Sequence, residues 1–281
     1  MGVGRTFPRK VSLVSTPTSP SRQLHFVADS PVKGLAVAER RVTNSEAALI
    51  CVHGALDRAG SFSRLARRIT RFDVIAYDRR GYQGSRHLGP VDLDHHIADL
   101  RALVDREIRH QPVILFGHSF GGVVTFATAM EIPDDIRLVV NYESPLPWVL
   151  RRSNVHAILG DDPAMEAERF FRRVVSDQAW ERLGEPQRES RRLDGATLLN
   201  DLRIVRNEKA PFDLTALKVP STYVHGDGYG AEYFRELSAV LVELNPLITT
   251  VELANVSHDA HLRVPGQLAA LIEERWDESC E

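Results

Sequence analysis

The chain has 281 residues, of which 43% are hydrophobic and 26% are charged, and its formal net charge is -3. These proportions match an ordinary globular protein, so neither disorder nor a membrane class is indicated for most of the chain. The small net charge gives no general electrostatic reason to bind nucleic acid or an acidic membrane surface. We therefore expect a small, weakly charged molecule as the substrate, and one α/β core with an insertion can account for the length.

The two cysteines, Cys51 and Cys280, form neither a disulfide framework nor a metal-ligand spacing. We expect a reducing compartment, no metal ion and no cofactor. No stretch approaches the roughly 20 apolar residues of a membrane-spanning helix, and the start of the chain lacks the apolar region of a secretory signal. These features predict a cytoplasmic protein, whereas the sequence carries no signal for the oligomeric state.

Residues 1–22 are rich in Ser, Thr, Pro and Arg, contain no acidic residue and show no hydrophobic period. Such a composition predicts a disordered tail. A transit peptide is the alternative, although Pro8, Pro17 and Pro20 disfavour the amphipathic helix that such peptides form.

From residue 23 onward, short apolar runs alternate with longer segments of helical periodicity, which is typical of parallel strands joined by crossover helices. Eight strands are predicted, at residues 24–28, 34–42, 47–52, 72–77, 112–116, 136–142, 219–225 and 248–253. The sequence therefore predicts an α/β fold with a mostly parallel, doubly wound sheet.

Residues 147–210 lack predicted strands and are helical and rich in arginine. We expect them to form a helical lid inserted after the sixth strand, with the core in residues 23–146 and 211–281. Because acidic residues alternate with the arginines, a solvated, ion-paired helical face is favoured over an anion-binding patch. The candidate apolar contacts of the lid are Met165, Phe170, Phe171, Val174 and Val175.

The strongest motif is Gly117-His118-Ser119-Phe120-Gly121, which fits G-x-S-x-G at a predicted junction of strand and helix. A serine on such a sharp turn needs small neighbours, because the two flanking elements approach each other closely. The turn also places the serine at a helix N-terminus, where unpaired N–H groups stabilise developing negative charge. Ser119 is therefore the candidate nucleophile.

A second motif, His53-Gly54-Ala55, directly follows the third predicted strand. In enzymes with a G-x-S-x-G turn, this loop supplies one N–H donor of the oxyanion hole, and the residue after the serine supplies the other. The candidate donors are the N–H groups of Ala55 and Phe120, with Leu56 as the alternative to Ala55. We expect His53 to brace the loop through hydrogen bonds rather than to transfer protons.

Of the 11 histidines, His258 follows the last predicted strand and lies downstream of every candidate acid. The chain order serine, acid, histidine is the one expected for this type of site. A neutral imidazole can accept the serine proton near pH 7, so His258 is the candidate base. We expect His261 to be a packing or supporting residue.

Together, His53-Gly54, Asp78-Arg79-Arg80-Gly81, the Ser119 motif and Ser257-His258 resemble the α/β-hydrolase superfamily, especially its serine esterase and cofactor-free haloperoxidase-like branch. The resemblance covers the chain from about residue 23 to 276, apart from the expected lid. It implies an α/β-hydrolase sheet with a nucleophile elbow and a catalytic triad. Gln83 stands where these families commonly have the middle glycine of D-x-R-G-x-G-x-S, so the local loop geometry is open.

The resemblance does not settle the acid of the triad. Related hydrolases usually carry it three residues after the glycine that ends the seventh strand, and that position is Tyr229. Two carboxylates are available instead: Glu143 after the sixth strand and Asp227 directly after Gly226. We favour Glu143, because some related dehalogenases carry their acid at the corresponding place, and we keep Asp227 as the alternative.

The leading hypothesis is hydrolysis of a carboxylic ester or a similar acyl bond through an acyl-enzyme on Ser119. A lyase or a perhydrolase of the haloperoxidase type could use the same residues. A ligand-binding protein that has lost catalysis is the third hypothesis, and the departure at Tyr229 is its basis.

Overall fold

Eight strands form one sheet in the computed structural model, which describes residues 23–151, 159–207 and 209–281. The strands are β1 (His25–Val27), β2 (Val37–Arg40), β3 (Ala48–Val52), β4 (Asp73–Tyr77), β5 (Val113–His118), β6 (Leu138–Tyr142), β7 (Ser221–Gly226) and β8 (Ile248–Leu253). Their order is β1-β2-β4-β3-β5-β6-β7-β8, and all neighbours from β4 to β8 pair in parallel. The predicted tail, residues 1–22, lies outside the described residues.

The described helices connect these strands: α1 (Ser63–Ala66), α2 (Leu93–Glu107), α3 (Phe120–Glu131), α4 (Pro163–Val174), α5 (Asp177–Glu181), α6 (Glu185–Leu193), α7 (Gly195–Val205), α8 (Ala231–Leu244), α9 (Ala260–Arg263) and α10 (Pro265–Cys280). Among them, none combines the length and the apolar character that a bilayer crossing needs.

The helices cover both faces of the sheet, as the apolar runs predict. Ile50 and Leu115 face one hydrophobic cluster with residues of α2, α3 and α8. Leu49 and Phe116 face a second cluster with residues of α1 and α10. Successive strand residues point to opposite faces, so a strand covered on both faces must be apolar at every position. The prediction of a mostly parallel, doubly wound α/β sheet is therefore confirmed.

Four helices, α4 to α7, lie between β6 and β7 in the chain. They contribute Ala167, Phe171, Trp180 and Leu198 to a third hydrophobic cluster, which also contains Leu56 and Tyr82 of the core loops. The arginines pair with nearby acids as expected: Arg172 contacts Glu168 at 2.8 Å and Glu181 at 2.6 Å.

Two of the five candidate apolar contacts in these helices were predicted wrongly. Met165 and Val175 are 60% and 52% exposed. Met165 lies on α4, and Val175 directly follows the last residue of that helix. The buried face of this amphipathic helix is set by tertiary contacts, and the periodicity of so few residues does not fix that face. The boundaries of the lid at residues 147 and 210 stay a prediction.

Candidate active site

Ser119 lies on a strained turn between β5 and α3. Its backbone has φ 54° and ψ -124°, a conformation that costs free energy for a residue with a side chain. The turn is held by a hydrogen bond from the Ser119 N–H to the Tyr142 carbonyl at 2.9 Å. A Cβ atom on Gly121 would lie 2.0 Å from the Val52 carbonyl oxygen, and one on Gly117 would lie 2.4 Å from Asn141 Oδ1. These glycines therefore allow the close approach that the turn requires.

The loop after β3 lies against this serine. A Cβ atom on Gly54 would be 2.8 Å from Ser119 Cβ and 3.3 Å from Ser119 Oγ. The proximity follows from the sheet, because β3 and β5 are paired neighbours and their carboxyl ends share an edge. Leu56, farther along the loop, has φ 54°. Ala55, its alternative Leu56, and Phe120 at the first position of α3 remain the proposed oxyanion donors.

His53 braces this loop through both ring nitrogens. Nδ1 donates to the Gly54 carbonyl at 2.7 Å, and Nε2 accepts the N–H of Arg79 at 2.9 Å. The ring is thus a neutral tautomer with its proton on Nδ1. Burial, together with the charge of Arg79, lowers the pKa of His53 to about 3. The geometry agrees with the expected bracing role.

Glu143 contacts the ring of His258. Glu143 Oε2 lies 2.7 Å from His258 Nδ1, and Glu143 Oε1 accepts the N–H of Gly226 at 3.0 Å. The carboxylate is 1% exposed, whereas the His258 side chain is 24% exposed. Both oxygens of the buried carboxylate are thereby occupied, and the ring is held with Nδ1 toward the acid and Nε2 on the opposite side.

Two further hydrogen bonds fix the loop that carries His258. The Tyr142 hydroxyl donates to the Ser257 carbonyl at 2.6 Å, and His118 Nε2 donates to the His258 carbonyl at 2.8 Å. No hydrogen bond joins Ser119 Oγ to His258 among the described residues. Such contacts often tighten only when substrate is bound, so this geometry is compatible with a resting site.

Asp227, the alternative acid, binds backbone instead of the ring. It is exposed, and its Oδ1 accepts the N–H of Val256 at 3.2 Å. Backbone N–H groups of Asn255 and Val256 lower the pKa of Asp227. Tyr229, at the position where related hydrolases carry the acid, is 84% exposed. Of the two candidate carboxylates, Glu143 is the one that contacts His258.

A buried ion pair behind the site escaped the sequence interpretation. Arg79, fully buried, contacts Asp201 of α7 at 2.6 Å, and Asp201 also accepts the Tyr82 hydroxyl at 2.7 Å. Arg79 Nε donates to the His53 carbonyl at 2.9 Å, and its guanidinium lies 4.6 Å from the centroid of the Phe120 ring. Asp201 follows Leu198 by three residues, so an acid on the apolar stripe of a helix was the available signal.

Gln83 keeps a conformation that glycine favours, with φ 42°. Its side-chain amide donates to Asp194 Oδ2 at 2.8 Å and to Ser190 Oγ at 3.1 Å, so the loop after β4 is tied to the inserted helices.

Phe234 of α8, which no motif singled out, stacks on His258 with the ring planes at 12° and the centroids 6.4 Å apart.

Comparison with known proteins agrees with this fold. Residues 49–271 match the sequence model of the alpha/beta hydrolase family. The chain belongs to that family. Among solved structures, it is similar to a bromoperoxidase from Bacillus anthracis, with a TM-score of 0.68 at 16% identity, covering 90% of this chain and 99% of that one. A lipase-esterase related protein from Clostridium acetobutylicum gives a TM-score of 0.66 at 16% identity, covering 86% and 99%.

Curated relatives of this alpha/beta hydrolase match over shorter segments. Human monoglyceride lipase is 33% identical over 135 residues, which are 45% of this chain and 45% of the relative. Lipase LipV from Mycobacterium tuberculosis is 29% identical over 102 residues, 36% of this chain and 39% of the relative. The matches thus span less than half the length of either relative.

Proposed function

We propose that this alpha/beta hydrolase is a serine hydrolase that cleaves a carboxylic ester or similar acyl bond of a small molecule. The contact of 2.7 Å between Glu143 and His258 carries the proposal. It gives the histidine the carboxylate partner that a catalytic triad needs, in a protein whose candidate nucleophile lies on a nucleophile elbow. The similarity of segments of the chain to monoglyceride lipase and to lipase LipV supports ester chemistry.

The proposed reaction begins when Ser119 Oγ attacks the carbonyl carbon of the ester. His258 Nε2 accepts the serine proton, and N–H groups of Ala55 and Phe120 stabilise the oxyanion of the tetrahedral intermediate. The intermediate collapses when the alcohol leaves with the proton from His258. Water, deprotonated by His258, then attacks the acyl-enzyme and releases the carboxylic acid, so Ser119 regains its proton.

Glu143 has two tasks in this scheme. It keeps the proton of His258 on Nδ1, which leaves the lone pair of Nε2 available for the serine. It also stabilises the imidazolium that forms in each half-reaction. The carboxylate can do both from a fixed position, because the N–H of Gly226 holds its other oxygen. In this proposal Glu143 takes the role of the acid, which Tyr229 cannot fill. The tyrosine was the basis of the non-catalytic hypothesis, which the proposal therefore disfavours.

The test compares wild-type protein, Ser119→Ala and the control Ser63→Ala with p-nitrophenyl esters of increasing acyl length and a fluorophosphonate probe. Wild type and Ser63→Ala should turn over an ester and label with the probe, and Ser119→Ala should do neither while keeping its circular dichroism spectrum. Wild-type turnover by folded Ser119→Ala would overturn the proposal. Product analysis separates hydrolysis from the lyase and perhydrolase alternatives.

A further inference from the structure

Three side chains with metal-binding groups meet behind the catalytic loops. Asp57 follows the loop that begins at His53, His118 directly precedes Ser119, and His261 is three residues beyond His258. One ligand atom from each side chain lies within 4.8 Å of the other two. The imidazoles are 6% and 2% exposed, so this cluster is largely closed to solvent.

Hydrogen bonding fixes the tautomer of His118. Its Nε2 lies 2.8 Å from the His258 carbonyl, and a carbonyl oxygen can only accept, so Nε2 carries the proton. In the neutral ring, Nδ1 then presents a lone pair. That atom has no hydrogen-bond partner among the described residues, and it faces Asp57 Oδ2 at 3.8 Å.

His261 adds further unsatisfied groups to the cluster. Both of its ring nitrogens are buried without a hydrogen-bond partner among the described residues, and Nε2 lies 3.5 Å from the same Asp57 oxygen. This separation exceeds the usual range of a hydrogen bond. Convergent buried polar atoms without partners indicate a bound water or ion. A carboxylate oxygen opposite the lone pair of an imidazole specifically favours a cation.

We propose that Asp57, His118 and His261 bind one divalent transition-metal ion, with Zn²⁺ as the best match. Two imidazoles and a carboxylate form a donor set typical of zinc, whereas calcium and magnesium prefer oxygen ligands alone. Ligands about 2.0 to 2.1 Å from a tetrahedral ion are about 3.3 to 3.4 Å apart. The separations of 3.8 and 3.5 Å from Asp57 Oδ2 exceed this range by a few tenths of an ångström, and the ligand nitrogens of the two imidazoles lie within 4.8 Å of each other.

The ion would act as a positioning element, since it joins the segment after β3, the end of β5 and helix α9, which adjoin the candidate catalytic groups. Asp57 lies beyond the oxyanion loop, His118 adjoins Ser119, and the His118 ring contacts the His258 backbone. Imidazole ligands usually donate their second N–H to a carbonyl or carboxylate, and the bond from His118 Nε2 has this form. Cysteine spacing gives no sign of such a site, and the inference does not depend on the proposed ester hydrolysis.

The test is titration calorimetry of Zn²⁺ alone into chelator-treated protein carrying Cys280→Ser, which removes the exposed thiol as a competing ligand. One ion per chain should bind. His261→Gln and Asp57→Asn should bind it at least about tenfold more weakly, because losing a ligand costs more than losing a supporting partner. His95→Gln is the matched control, because it removes an exposed histidine that contacts Asp92 at 2.5 Å, and it should bind like the parent.

Two measurements avoid dependence on variants that fold poorly. Co²⁺ added to the parent protein should give visible d–d bands of a coordinated ion, and Zn²⁺ should raise its thermal unfolding midpoint in a saturable manner. Absence of saturable binding by the folded parent, or equal affinity in folded His261→Gln, would overturn the metal site. Neither readout involves ester turnover, so failure of this proposal is distinguishable from failure of the proposed hydrolase activity.

Discussion

Glu143 reaches His258 from the end of β6, the strand that pairs directly with the strand leading into Ser119. The short path is possible because the Glu143 backbone adopts φ 46°, which turns the chain sharply after the strand. Gly226, at the end of β7, contributes only its N–H to the carboxylate. The position three residues after Gly226, where related hydrolases usually carry the acid, is occupied by the exposed Tyr229.

Glu143→Gln should lower kcat for ester hydrolysis by about 10⁴-fold, because an amide neither holds the correct tautomer nor stabilises the imidazolium. Asp227→Asn should lower it by only a few-fold, since that carboxylate binds backbone. Steady-state kinetics with one ester and both purified variants measure the difference. If Asp227→Asn shows the large loss and Glu143→Gln does not, the assignment of the acid is wrong.

Gly121→Ala should destabilise the fold by about 3 kcal/mol or more, because its Cβ would lie 2.0 Å from the Val52 carbonyl oxygen and the backbone would have to move. Gly266→Ala in α10 is the matched control. No atom lies within 4 Å of its added Cβ, so the change should stabilise by up to about 1 kcal/mol. Urea unfolding of both variants provides the measurement, and equal effects would contradict the tight approach at the elbow.

Asp201→Asn should destabilise the protein by about 3 to 5 kcal/mol, because it leaves the fully buried guanidinium of Arg79 without its counter-charge. The double variant Arg79→Met/Asp201→Leu should recover much of that loss, since two apolar side chains carry no uncompensated charge. Chemical denaturation at pH 7 measures both effects.

The matched control for this pair is Arg263→Gln, which removes an exposed ion pair with Asp259 at 2.9 Å. It should change the free energy of unfolding by less than about 1 kcal/mol. A loss of similar size in Asp201→Asn would mean that the buried pair does not hold α7 against the loops.

Buried histidines should make the protein less stable in mild acid. Burial and the charge of Arg79 lower the pKa of His53 to about 3 and hold the pKa of His96 well below its usual range. Below about pH 6.5 the unfolded chain protonates both rings while the folded protein does not, so folding stability falls as the pH falls. At a pH where only the unfolded chain binds the proton, each ring contributes a slope of about 1.4 kcal/mol per pH unit.

Urea unfolding between pH 7 and pH 5 checks this dependence. His96→Gln should reduce the slope of the unfolding free energy against pH by an amount that corresponds to at most one proton taken up on unfolding. His110→Gln, at an exposed histidine, should leave that slope unchanged. Identical slopes for wild type and a folded His96→Gln protein would show that His96 protonates equally in both states.

The sequence predicted the sheet and the loops around Ser119 because continuous apolar runs and glycine spacing report local constraints. It favoured Glu143 over Asp227 only by resemblance to other families, since the fold alone shows which carboxylate contacts His258. It wrongly predicted an apolar contact for Met165, because the sequence does not show which face of the helix packs against the rest of the fold. The cluster of Asp57, His118 and His261 could not be predicted from the sequence, because its members are far apart in the chain and only the fold brings them together.

The contact between Arg79 and Asp201 also limits how this enzyme family member can be re-engineered. Grafting a different insertion between β6 and β7 leaves the strands themselves untouched. In such a chimera the buried guanidinium of Arg79, which contacts the His53 carbonyl, has no counter-charge unless the grafted segment places a carboxylate at the position of Asp201. The insertion is consequently exchangeable only together with residue 79, and a library of grafts should vary the two positions as one unit.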